Sequence, residues 1–168
     1  HKSQIEGVVL NVCSSSETAG FFNELSEKVK NFSLSLEFQG VAIQPMVRGN
    51  GQEFLIGAKR DPHFGAVILF GRGGTLTESF KDVSLGFPPL NQVLARRIIK
   101  DNWFFKDSSS VKKGFNVHLL EEILVRFSQM VTDFPEIKEI DVNPLIVTEK
   151  TTVAVDARIV IDWERDMR

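Results

Sequence analysis

Apolar positions along this chain switch between two periods, and the switches mark its elements. A short apolar run over 8–12 predicts a strand. Phe21, Phe22, Leu25 and Val29 then recur at helical spacing behind Ser14 and Glu17, whose three-residue separation is a capping-box signature. Alternation predicts a further short strand over 32–38. Period-two runs over 41–47, 54–59 and 66–70 predict three strands, and the short turns between them require antiparallel pairing. Pro88-Pro89 predicts the start of a helix reaching about Lys100, because proline is tolerated in a first turn. The serines at 108–110 read as a loop. Asn116 is the expected N-cap of a second helix carrying Leu120, Leu124, Phe127 and Val131, which Phe134-Pro135 ends. Two alternating runs, 139–147 and 152–161, close the chain as a hairpin around the polar turn 148–151. This order predicts an α+β fold with helices packed on a mostly antiparallel sheet.

The closing hairpin brings chemistry together. With its turn centred between Glu149 and Lys150, facing positions sum to 299, so Asn143 faces Asp156 and Asp141 faces Arg158. Directly opposed residues have Cβ atoms about 4.5–5.5 Å apart. One amide oxygen and one carboxylate at that separation can share a hard cation such as Mg²⁺, which takes oxygen ligands and fills its shell with water and phosphate. The same residues also fit a plain cross-strand ion pair, worth a few tenths of a kcal/mol, and a bulge or edge marked by Pro144.

Composition narrows the classes. The 168 residues are 42% apolar and 25% charged, with a net charge of −2. That balance gives no basic footprint for nucleic acid or an anionic membrane, and no apolar run nears the roughly 20 residues that span a bilayer. A single cysteine, Cys13, excludes an internal disulfide framework and fits a reducing cytoplasm, and it reads as a buried packing thiol. The apolar run so soon after His1 predicts a segment of a longer protein. A strand exposed there would pair with a second copy, giving a homo-oligomer.

Further candidates lie outside the hairpin. In Phe70-Gly71-Arg72-Gly73-Gly74 the glycines follow a strand, where they would let backbone N–H groups approach a phosphate or would simply make a turn. No Gly-Lys-Ser/Thr follows, so this is not a Walker A loop. Glu53 and Glu78 are acids placed to hold ribose hydroxyls or a metal, or are solvated strand-end acids. His63 and His118 lack ligand partners at metal-binding spacing and read as turn or capping residues.

Taken together, several segments resemble the ATP-grasp domain of ADP-forming acyl-CoA synthetases of the acetyl-CoA synthetase type, which are similar to the β subunit of succinyl-CoA synthetase. They are His1-Lys2-Ser3, Val41 to Val47, Gly51-Gln52-Glu53, Arg60 to Gly65, Phe70 to Gly74, Asp133 to Ile137, Asp141 to Leu145 and Val155 to Arg158, in family order. The resemblance implies an ATP-grasp fold, with residues 1–39 as the tail of the first lobe and 40–168 as the second. It implies the reaction of acyl-CoA, ADP and phosphate to acid, CoA and ATP through phosphohistidine. It further implies Asn143 and Asp156 as Mg²⁺ ligands, Glu53 as a ribose-binding acid, and Gln44, Met46 and Val47 in the segment that reads adenine of ATP or ADP. Gly73 and Gly74 match the family's glycine pair, and His1 matches a phosphoryl-carrying histidine. CoA-binding and phosphohistidine domains would be supplied by the same protein or a partner subunit. Gln4-Ile5-Glu6-Gly7 departs from the family's Asp-Val-Gly-Gly, placing Glu6 where a glycine would admit phosphate. That departure suits an alternative, a non-catalytic nucleotide-sensing module such as the synthetase-like half of fused protein acetyltransferases.

Overall fold

The computed structural model describes residues 7–33, 37–48, 51–73, 83–106 and 115–162. The chain divides into two compact units, His1–Val47 and Arg48–Arg168.

In the first unit, helix α1 spans Ser15–Phe32. Ser14 caps it by accepting the Glu17 N–H at 3.1 Å, while the Glu17 carboxylate reaches back to the Cys13 N–H at 2.8 Å. The capping box is therefore made as the sequence predicts, with the return bond one residue earlier than usual. Phe22 packs edge-to-face on Phe38, their centroids 5.2 Å apart. Several expectations fail here. Residues 8–12 form no strand, and Asn11 at φ 59° breaks the extended run with a left-handed residue. The strand edge that would pair with a second copy does not form there. Phe32 belongs to the helix, and neither the described part of 32–38 nor residues 41–47 joins a ladder. Alternation alone does not make a strand, because a strand is stabilised by its neighbours. Cys13 is exposed rather than buried.

The second unit carries the sheet. Its elements are β1 (Gln52–Asp61), β2 (Gly65–Arg72), β3 (Val83–Gly86), α2 (Gln92–Asp101), α3 (Trp103–Lys106), α4 (Val117–Asp133), β4 (Ile137–Val147), β5 (Thr152–Ala154) and β6 (Ala157–Ile161). The strands are antiparallel in the order β3-β2-β1-β4-β5, with β6 also pairing β4. The third strand of the expected meander is thus β3, not 41–47. Four residues are too few to announce a strand by alternation. Helix α2 begins behind Asn91, which accepts the Leu94 N–H at 2.9 Å, so Pro88-Pro89 precedes the helix instead of forming its first turn. Asn116 caps α4 by accepting the His118 N–H at 2.9 Å, and Phe134 closes that helix, both as predicted. The expected loop at Ser108–Ser110 lies outside the described residues.

One face of the sheet is sealed by the helices. Phe54, Ile56, Ile68, Phe70, Leu120, Leu124, Val131 and Val147 are almost fully buried. Phe54 is the hub, with Phe70, Phe104, Phe105 and Phe115 rings all within 5.9 Å of it, centroid to centroid. Aromatic groups that large dominate core energetics, and offset or edge-on contacts add to area burial. Between α2 and α4, Arg96 grips the buried Glu121 with a fork of two bonds, 2.7 and 3.0 Å.

Candidate functional site

Strand alternation decides what the opposite face offers. Along β1, Phe54, Ile56 and Ala58 turn into the core, which leaves Glu53, Leu55, Gly57 and Lys59 on the uncovered face. Along β4, Ile140, Val142, Leu145 and Val147 turn inward, so Glu139, Asp141 and Asn143 share that face.

The hairpin register comes out as the sequence predicts. Asp141 faces Arg158 and Val142 faces Ala157, while Leu145 faces Ala154, every pair summing to 299. Between these ladders the Asn143 N–H donates to the Asp156 carbonyl at 3.1 Å, and the Val155 N–H donates to the Pro144 carbonyl at 3.0 Å. Glu149-Lys150 is a poor tight-turn pair, yet the turn closes because Thr148 organises it. Its hydroxyl accepts the N–H groups of Lys150 (3.2 Å) and Thr151 (2.9 Å), and its own N–H donates to the Thr151 carbonyl at 2.9 Å.

Both facing residues sit at ladder irregularities. Ile56 pairs with Val142 but Phe54 pairs with Leu145, so Asn143 and Pro144 together oppose the single residue Leu55. This is a β-bulge, a device that re-aims a side chain locally. Across from it the partner strand is interrupted between β5 and β6, where Val155 and Asp156 lie. Asn143 and Asp156 are half-buried, whereas Asp141 and Arg158 are exposed.

The electrostatics of the face are acidic. Partial loss of water raises the Asp141 carboxyl above its usual range, and the negative charges of Asp156 and Glu139 raise it further, while Arg158 opposes them. Gly57 pairs with Asp141, and a Cβ there would stand 3.3 Å from the Ile140 carbonyl oxygen, tighter than ordinary contact, so glycine gives clearance between the two strand backbones, while an Asp141 carboxylate oxygen would lie at an ordinary 3.7 Å. In the sequence Gly57 belongs to the stretches that resemble the family, but it is given no role at the site. Its signal is a glycine inside an apolar strand, which marks a bulge or a close approach. Among the described residues no cluster of three His, Cys, Asp or Glu side chains is placed to hold a metal. The amide and carboxylate oxygens of Asn143 and Asp156, with surplus negative charge beside them, do fit a hard cation that completes its shell with water and phosphate.

Glu53 is exposed on the same face near the start of β1, opposite Ile146. Its carbonyl accepts the Gly73 N–H at 2.9 Å. A Cβ on Gly73 would stand 2.6 Å from the Phe54 carbonyl oxygen, so the glycine is required by close backbone approach to β1 and its N–H is committed to the sheet. Gln44, Met46 and Val47 belong to the first compact unit, the first two exposed and Val47 half-buried. His1, Glu6, Gly74 and Glu78 lie outside the described residues. The two remaining histidines occupy turn and cap positions as expected: the His63 and Phe64 N–H groups donate to Asp61, at 2.8 and 3.0 Å, and His118 stands in the first turn of α4.

Comparison with known proteins decides the family. The model of an ATP-grasp domain matches residues 1–161. The chain belongs to the ATP-grasp domain family. It is 32% identical to subunit beta of the ADP-forming acetate–CoA ligase I of Pyrococcus furiosus, over 96% of this chain and 70% of that one. It is 35% identical to the ADP-forming acetate–CoA ligase I of Archaeoglobus fulgidus, over 98% of this chain but only 24% of that longer protein. Among solved structures, the acetyl-coenzyme A synthetase 1 of Ca. Korarchaeum cryptofilum, in complex with coenzyme A and Ca-AMPCP, superposes with a TM-score of 0.85 at 31% identity, covering 95% of this chain and 70% of that one. The same enzyme with Mg-AMPPCP, its phosphohistidine segment pointing towards the nucleotide binding site, gives 0.75 at 30% identity, covering 96% and 71%. The homologues of this ATP-grasp chain are therefore ADP-forming acid–thiol ligases, and the chain matches their ATP-grasp part.

Proposed function

We propose that this ATP-grasp chain is the nucleotide-binding part of an ADP-forming acyl-CoA ligase, which converts acyl-CoA, ADP and phosphate to acid, CoA and ATP. The observation that carries the reading is the facing of Asn143 and Asp156 on the uncovered, acidic face of the sheet. Those two residues would hold Mg²⁺, and a bound cation there supplies neutralisation of phosphate oxygens. Glu53 would accept hydrogen bonds from ribose hydroxyls. Gln44, Met46 and Val47 would read the base, and His1 would carry the phosphoryl group near the nucleotide. Gly73 supports this site through the sheet, by fastening β2 to the start of β1. CoA-binding and phosphohistidine domains, in the same protein or in a partner subunit, complete the reaction, so the chain alone is inactive. The setting is cytoplasmic; no helix among the described residues is long and apolar enough to cross a membrane.

The test is acyl-CoA-dependent ATP formation by the intact protein with Asp156→Ala. Loss of mere outer-shell partners costs about 10–100-fold in metal affinity or activity, so removing a ligand should lower Mg²⁺-dependent ATP formation by about a hundredfold or more. Unchanged activity would sink the metal assignment. Glu6 favours the second reading, a nucleotide-sensing module without turnover; an intact protein that binds Mg-ATP but forms none from acyl-CoA would establish it.

A further inference from the structure

The Arg60 side chain spans the place where the β1–β4 ladder ends. Lys59 pairs with Glu139, and no ladder pair continues beyond it. There the Arg60 Nε donates to the Ile137 carbonyl at 2.9 Å, and Nη2 donates to the carbonyls of Val131 at 2.7 Å and Phe134 at 3.2 Å. Val131 lies in the last turn of α4 and Phe134 is its C-cap, so two of the three acceptors are carbonyls that a helix end leaves without intrahelical partners. A guanidinium suits this position, since it offers five donors in a fixed fork and a positive charge at the negative end of the helix.

The location matters because β4 is irregular at this same point. Its pairing with β6 shifts by one residue between Ile137 and Glu139. The second shift in β4, against β1, is the bulge at Asn143-Pro144. The two irregularities bracket residues 139–142, the stretch that sets Asn143 in register with β1. Apolar alternation does not fix that register by itself. A slip of one residue is punished, because every side chain changes face. A slip of two restores the same faces and is opposed only by contacts that do not repeat with period two. Arg60 makes three such contacts, two to the helix-end carbonyls at 131 and 134 and one to the Ile137 carbonyl at the start of β4.

Resting on the proposed Mg-nucleotide reading, we propose that Arg60 is a positioning residue for that site. By tying β1 to the joint between α4 and β4, it holds the β1–β4 register in which the bulge aims Asn143 and the hairpin's Asn143–Asp156 pair stands beside Glu53. It does so without touching nucleotide or metal.

The test uses the intact protein and ATP, comparing dissociation constants with and without Mg²⁺ for wild type, Arg60→Lys and Arg60→Ala, at a temperature where each variant is folded. Exchange protection of the amides in the paired stretches 56–59 of β1 and 139–142 of β4 is followed alongside. Arg60→Ala should lose about tenfold of the Mg²⁺ enhancement, the lower end of what lost supporting partners cost a metal site, together with protection of those amides. Arg60→Lys keeps the charge but not the fork, so it should fall between, and it serves alone if the alanine variant does not fold. An enhancement and a protection that both stay at wild-type values while the melting temperature drops would overturn the inference and leave the nucleotide reading standing. A wild-type protein whose ATP affinity does not respond to Mg²⁺ would overturn both.

Discussion

The two faces of one sheet differ in almost every physical respect. The helix-covered face is built around Phe54 and its four neighbouring rings, of which Phe70, Phe104 and Phe115 are buried like Phe54 and Phe105 is half-buried. The face away from the helices carries Glu53, Lys59, Glu139, Asp141, Asn143, Asp156 and Arg158, with acids in excess and one carboxyl held above its usual range. Stability is concentrated on the first and the candidate chemistry on the second. Because both are made by alternate residues of the same strands, substitutions one position apart should have opposite consequences.

The most damaging change should be Phe54→Ala. Emptying the hub of an aromatic cluster costs roughly 3–5 kcal/mol, which a denaturant titration would read as a large fall in midpoint. A shift under about 1 kcal/mol would mean the covered face is not the main source of stability. Gly73→Ala comes next, because a Cβ would collide with the Phe54 backbone rather than with a movable side chain. Overpacking of this kind costs roughly 1–3 kcal/mol, and wild-type stability in that variant would refute the close approach. On the uncovered face, Asp156→Ala should change stability by less than about 0.5 kcal/mol. A larger loss in the melting curve would show that the acid serves the fold.

The smallest expected effect concerns pH. The fork from Arg96, and then the charges of Arg96 and His118, hold the buried Glu121 carboxyl below its ordinary value of 4.5, against the opposing effect of burial. A depressed folded-state pKa means the unfolded chain binds the proton first as pH falls. The resulting stabilisation is therefore present above about pH 4.5 and is lost as the pH drops through the lowered value. Glu121→Gln should flatten that acid limb in stability measured between about pH 5 and pH 3. An unaltered limb would assign the acid sensitivity to other carboxylates.

The sequence and the structure agree where an element's signal is local. The Ser14 and Asn116 caps, the 54–59 and 66–70 strands, and the hairpin register depend on residues close together in the chain, so they are readable without the fold. Residues 8–12, an apolar run, and 41–47 both carry a strand-like pattern but lack a ladder, since a strand is decided by what lies beside it. β3 is missed for the converse reason: four residues carry little pattern, and pairing with β2 makes the strand. At the site, Asn143 opposite Asp156 follows from arithmetic on the turn. The bulge against β1, the Gly57 clearance and the Gly73 contact with Phe54 do not, because each is set by a strand nearly ninety residues away or by a backbone approach that no spacing rule encodes.

The bulge at Asn143-Pro144 is one-sided. Strand β4 gains a residue against β1 but keeps an unbroken count against β5 and β6 on either side of it. The protein therefore carries a frame offset in one seam of its sheet, between two strands that are each in unbroken register with their other neighbour at that point. Inserting a single residue beside Leu55 would bring the β1–β4 seam into step but throw β1 out of step with β2, and deleting Pro144 would do the same to β4 against β5 and β6. No single length change makes this sheet regular, so the kink presenting Asn143 can be moved to a neighbouring seam but not simply erased.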